Sequence, residues 1–119
     1  MKRTITEALN KWRAGKPRKP LILRGARQVG KTYILRAFGK KAFPHYHYLN
    51  FEHDERLWEL FEKDLSPTRI LEELQFYLDA SIDKTRDLLI FDEIQQCPRA
   101  LTAFKYFCEQ TPELAICAA

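Results

Sequence analysis

The chain has 119 residues, of which 45% are hydrophobic and 30% charged, and it carries a net charge of +4 at pH 7. This length supports one domain with a real core, burying on the order of 65% of the unfolded surface, and is too short for two. The composition excludes disordered and fibrous proteins, and no run approaches the roughly 18 uninterrupted apolar residues of a membrane span.

Residues 1 to 41 hold 13 basic side chains against Glu7 alone, whereas residues 42 to 119 hold 7 basic and 15 acidic ones. Such a basic N-terminal lobe attracts polyanions by its long-range field. Its cations read first as a solvated face and second as a surface for nucleic acid. Met1–Glu7 lacks the apolar run of a signal peptide, so a cytoplasmic location is expected. Cys97, Cys108 and Cys117 are an odd number at spacings that fit neither a zinc site nor a disulfide framework, and they read as reduced thiols. His45, His47 and His53 alternate as strand neighbours do, but without cysteine nearby they make a poor metal set.

In chain order, Thr4 and Glu7 stand at capping-box spacing and open a helix over residues 4 to 14, with Ile5, Ala8, Leu9 and Trp12 on one stripe. Gly15 ends it, and a basic, proline-marked connector follows. Leu21-Ile22-Leu23-Arg24 reads as a first strand of the kind covered on both faces.

Directly after it, Gly25-Ala26-Arg27-Gln28-Val29-Gly30-Lys31-Thr32 fits G-x-x-x-x-G-K-[ST] without a mismatch. Two glycines let the backbone wrap a phosphate, a lysine supplies a mobile cation, and a hydroxyl reaches magnesium. The loop feeds a helix over 31 to 38, whose N-terminus favours an anion. Tyr33, the first residue past the motif, is counted with it among the nucleotide-binding positions. Ile34, Leu35 and Phe38 face the sheet, and the helix is expected to end near Gly39.

His45 to Phe51 alternates and reads as a second strand. A short helix around Leu57, Trp58, Leu60 and Phe61 and a longer one opened by Ser66-Pro67 follow. Leu88-Leu89-Ile90-Phe91-Asp92-Glu93 then describes a buried parallel strand with carboxylates at its C-terminal edge, where open α/β sheets place ligands. In a nucleotide hydrolase the first acid serves magnesium and the second the attacking water, which assigns Asp92 to the metal and Glu93 to general base work. The competing reading is that both acids merely begin the next helix. Pro98 starts a further helix with Leu101, Phe104 and Cys108 on its expected buried stripe, and Leu114 to Ala119 reads as a fourth strand.

Leu23 to Thr32, Tyr48-Leu49-Asn50-Phe51-Glu52, and Phe91-Asp92-Glu93-Ile94-Gln95 with Cys97-Pro98 together resemble the prokaryotic AAA-type P-loop ATPases that carry a C-terminal domain of unknown function. The resemblance implies an α/β fold of three layers, α/β/α, on a mainly parallel sheet of strand order 2-3-4-1. It also implies ATP as nucleotide with magnesium, Lys31 on the β and γ phosphates and in a catalytic role, Thr32 and Asp92 at the metal, and Glu93 activating water. Family members continue past the fourth strand with a sensor and a lid, so residues 1 to 119 are expected to be part of such a domain. Magnesium-dependent ATP hydrolysis coupled to conformational change in a larger protein is the leading expectation. A nucleotide-binding module without turnover and a P-loop kinase are the alternatives. Expected partners are ATP, then nucleic acid through the basic lobe, and self-association, with no membrane. Arg27 reads as pointing to solvent or a partner, and Arg99 as a surface arginine or a trans-acting finger.

Overall fold

The computed structural model describes residues 11–12, 21–22, 31–52 and 54–119. Four parallel strands form one sheet: β1 (Leu21–Ile22), β2 (Tyr46–Asn50), β3 (Leu88–Asp92) and β4 (Ala115–Ala118), in the order β1-β4-β3-β2. Helix α1 (Lys31–Ala42) precedes β2; α2 (Glu55–Glu59) and α3 (Pro67–Leu78) lie between β2 and β3; and α4 (Pro98–Gln110) leads into β4. The connections are crossovers, as parallel neighbours require.

The pleat sorts the apolar residues of each strand to two faces. Leu89 and Phe91 of β3, with Ile116 and Ala118 of β4, join a cluster that includes Leu57, Ile70, Leu74 and Phe107 from the intervening helices. Leu88 and Ile90, with Ala115 and Cys117, pack instead with Leu35 and Phe38 of α1. This makes the three layers, with α1 on one side and α2 to α4 on the other. Every residue of β3 and β4 is buried, which is why these strands are continuously apolar rather than alternating. Phe91 sits among Phe51, Phe61 and Phe104 at ring-centre distances of 5.3, 6.2 and 5.5 Å, in edge-on or tilted contacts.

Two details differ from the sequence expectations. Helix α1 does not stop at Gly39 but runs through it to Ala42. Gly39 is there for close approach: a Cβ at this position would meet Tyr46 Cβ and Cγ at 3.0 Å and Leu88 Cδ2 at 3.1 Å. The buried stripe of α4 is Ala100, Ala103, Phe104 and Phe107, while Leu101 is exposed and Cys108 half-buried. The two phenylalanines set the phase of that helix, and the alanines let it lie close to the sheet. His47 has a partner within the chain: its Nε2 pairs with Asp87 Oδ2 at 2.9 Å, both residues are buried, and the same oxygen accepts the Asp83 N–H at 3.0 Å. No metal-binding group of three or more side chains occurs among the described residues.

Lys11 and Trp12 are helical, and the Trp12 ring lies 6.4 Å from that of Phe38; the remainder of the helix expected over 4 to 14 falls outside the described residues. Among the described residues no helix is long and apolar enough to cross a membrane. Cys97, Cys108 and Cys117 are free thiols, and burial pushes the Cys117 thiol up to about 12.

Gly39→Ala tests the close approach. Overpacking costs about 1–3 kcal/mol, against a gain of ~1 kcal/mol in helix propensity. The expected outcome is a melting temperature lower by about 3–5 °C, read by thermal denaturation. An unchanged or raised value would show that the helix can move away from Tyr46 at no cost.

Candidate functional site

The site grows out of the end of β3. Leu88 to Phe91 are wholly buried, so the strand carries the carboxylate that follows them to the sheet's C-terminal edge and leaves it only 5% exposed. In register, Phe91 stands beside Ala118, and Ala118 beside Ile22, so β1 also runs toward that edge. A carboxylate in such a place must collect donors. Asp92 has three: the Thr32 hydroxyl from the first turn of α1 donates to Oδ2 at 2.5 Å, the Tyr48 hydroxyl from β2 donates to the same oxygen at 2.5 Å, and the Glu93 N–H donates to Oδ1 at 3.0 Å. These O–H bonds have the short lengths of charge-assisted ones. Among the described residues no buried side-chain polar atom lacks a partner.

Thr32 and Asp92 are thus brought together across 60 residues of sequence. Lys31 opens α1, placing the last two residues of the loop pattern at a helix N-terminus. Gly25, Ala26, Arg27, Gln28, Val29 and Gly30 lie outside the described residues. Tyr33 is 68% exposed on α1 and lines, with Thr32, Arg36, Ala37, Lys40 and Tyr46, an open groove of about 630 Å³.

Asp92 ends its strand rather than beginning the next helix. Glu93 follows with φ 55° and ψ 42°, in the left-handed region, and caps a single 3-10 turn, Ile94–Gln96. For a residue with a Cβ this conformation costs on the order of 1 kcal/mol. Gln95 Nε2 donates to Glu93 Oε1 at 2.6 Å. Arg99 Nε donates to the Phe61 carbonyl of its own chain.

Tyr48 and Arg36 have no assigned role from sequence, although Tyr48 opens the Tyr48–Glu52 stretch that carries part of the family resemblance. Arg36 stands one turn beyond Thr32, with its guanidinium 4.8 Å from the centre of the Tyr48 ring and its Nε donating to the Tyr46 hydroxyl at 3.4 Å. The available signal was alternation on β2, which puts Tyr46 and Tyr48 on the α1 side of the sheet. What alternation could not supply is that the Tyr48 hydroxyl reaches the end of the neighbouring strand.

A family model described as AAA domain matches residues 17–119, a span that includes the glycine-lysine loop, β2 and the acidic end of β3. The chain belongs to the AAA domain family. Neither the curated proteins nor the solved structures include a match to it. As an AAA domain it falls among nucleotide-binding modules of ATPase type.

In this AAA domain, burial, followed by the hydrogen bond to Asp92, pushes the Tyr48 phenol up to about 12. The Tyr77 phenol is likewise pushed up to about 12, by burial and then by its hydrogen bond to Asp54. Both values lie above the ordinary 10.0, so the protonated phenols contribute stability that is complete below pH 10 and is lost as pH rises through about 12. An alkaline titration of tyrosinate absorbance is expected to show two late-ionising phenols, one absent in Tyr48→Phe and the other in Tyr77→Phe. Complete ionisation near pH 10 in the folded chain would contradict both contacts.

Proposed function

We propose that this AAA domain binds ATP with magnesium and hydrolyses the terminal phosphate, coupling the cycle to a conformational change. The observation that carries the reading is the Thr32 Oγ1 to Asp92 Oδ2 contact of 2.5 Å, which joins the end of the phosphate-loop pattern to the acidic end of a buried parallel strand. A hydroxyl and a carboxylate are hard oxygen donors of the kind magnesium takes, so this pair fits the ion and would hold it. Magnesium, when bound, offsets the charge that develops on the phosphates.

The chain's own residues then divide the work. Backbone N–H groups of Gly25 to Gly30 cradle the phosphates, and the Lys31 ammonium takes the β and γ oxygens. Glu93 serves as the general base: it receives the proton from the water whose oxygen attacks the γ phosphorus, as the bond to the β–γ bridging oxygen breaks. The hydrogen bond from Gln95 to Glu93 Oε1 favours a second reading, in which nucleotide is held without turnover because the base is engaged elsewhere.

Two measurements separate these. ATP at 100 times its dissociation constant should stabilise the fold by about 2.7 kcal/mol, or roughly 10 °C in melting temperature at this size. No shift would remove both readings. Glu93→Gln should retain that shift while phosphate release falls by a factor on the order of 100 or more. Equal release in the variant would take the base role from Glu93, and absence of release in the wild type would favour the holding module. Phosphate release without a second substrate also distinguishes hydrolysis from a kinase.

A further inference from the structure

Asp92 receives one hydroxyl more than the two sequence motifs account for. An ionised carboxylate offers about four acceptor positions, two on each oxygen. Thr32 and Tyr48 occupy both positions on Oδ2, and the Glu93 N–H occupies one on Oδ1. Counting donors among the described residues, one position remains, on Oδ1. The three donors come from α1, from β2 and from the backbone just past β3, so together they fix the rotation of the carboxylate as well as its place.

Tyr48 is itself held. It stands in register beside Ile90, packs against the cluster beneath α1, and has its ring under the Arg36 guanidinium at 4.8 Å. Asn50 Nδ2 donates to its hydroxyl oxygen at 3.5 Å, a long contact that leaves the hydroxyl proton for Asp92. The hydroxyl is therefore delivered to Oδ2 by a rigid strand and a stacked ring, not by a mobile loop.

We propose that Tyr48 is a positioning residue for the metal side of the nucleotide site, holding Asp92 so that a single acceptor position, on Oδ1, is presented to a metal-bound water. The proposal rests on the reading of Thr32 and Asp92 as the magnesium pair. It goes beyond that reading by assigning the geometry of Asp92 to a side chain on the neighbouring strand. A purely structural tyrosine would support the fold equally with and without the metal; a positioning one acts only when the metal is there.

The test measures affinity for a fluorescent ATP analogue with magnesium and with a chelator in its place. It uses the wild type, Tyr48→Phe, Asp92→Asn and the double variant. Tyr48→Phe keeps the ring under Arg36 and removes only the hydroxyl. In chelator it is expected to bind within twofold of the wild type, while the gain in affinity on adding magnesium falls roughly tenfold, the scale of one hydrogen bond to a charged group. The double variant is expected to be no worse than Asp92→Asn, because the two changes remove one interaction. Tyr46→Phe, which removes the hydroxyl bonded to Arg36 on the same face, should keep the wild-type magnesium response. For any variant with a weakened fold, the magnesium-dependent increment in melting temperature with nucleotide gives the same comparison.

A wild-type magnesium response in Tyr48→Phe would overturn the proposal, as would a loss that adds in full to that of Asp92→Asn. Wild-type protein that binds nucleotide but ignores magnesium would overturn it as well. Wild-type protein that binds no nucleotide would instead overturn the functional reading on which the proposal stands.

Discussion

A carboxylate carried to the edge of a buried sheet has to be satisfied by the protein around it, and in this chain that requirement falls on Asp92. The four residues before it are apolar and wholly buried, so β3 cannot slide to expose its end. The donors it collects come from α1, from β2 and from the turn after β3. Those elements are packed by different clusters on opposite faces of the sheet. The Asp92 contacts therefore register α1 against the central sheet at the C-terminal edge of the strands, where open α/β sheets place ligands.

The two faces play unequal parts. On the α2 to α4 side, Phe91 meets three aromatic rings, and Trp58 Nε1 donates to the Phe51 carbonyl at 2.7 Å just beyond β2. Among the described residues this side holds the larger apolar cluster and braces β3 from behind. On the α1 side the approach is close, set by Gly39 against Tyr46 and Leu88. That close packing brings the start of α1, and with it Thr32, within reach of Asp92. Packing in one half of the molecule holds the acid, and packing in the other delivers the hydroxyl.

The opposite end of the strands has its own polar device. Asp87, immediately before β3, holds His47 and closes the turn from Asp83. It lies a full strand length from Asp92 and stabilises the entry to β3 rather than the site. The sequence showed three histidines at tempting spacing, but the partner that explains His47 lies 40 residues away, and spacing along one strand cannot reveal it.

Much of the fold and the outline of the site were legible in the residues themselves. Continuous apolar runs distinguish strands covered on both faces, and Leu88 to Phe91 followed by two acids place Asp92 at a strand end from sequence alone. The loop pattern is local by nature, because a phosphate is cradled by consecutive backbone groups, and it pointed to Thr32 directly. The phase of α4 and the end of α1 are not written in local sequence, because both depend on what the helix packs against: two phenylalanines in one case, a glycine pressed on a neighbouring strand in the other.

Sequence by itself determined the class of fold, the order of its described elements, and the two stretches proposed to carry nucleotide chemistry, since each of these is written in contiguous residues. Only the tertiary structure decided that Thr32 and Tyr48 share one oxygen of Asp92, that Glu93 adopts a left-handed conformation, and that Arg99 is bound to its own chain. These are contacts or dihedrals set by the crossing of separate elements, and no periodicity along the chain encodes the distance between two strand ends.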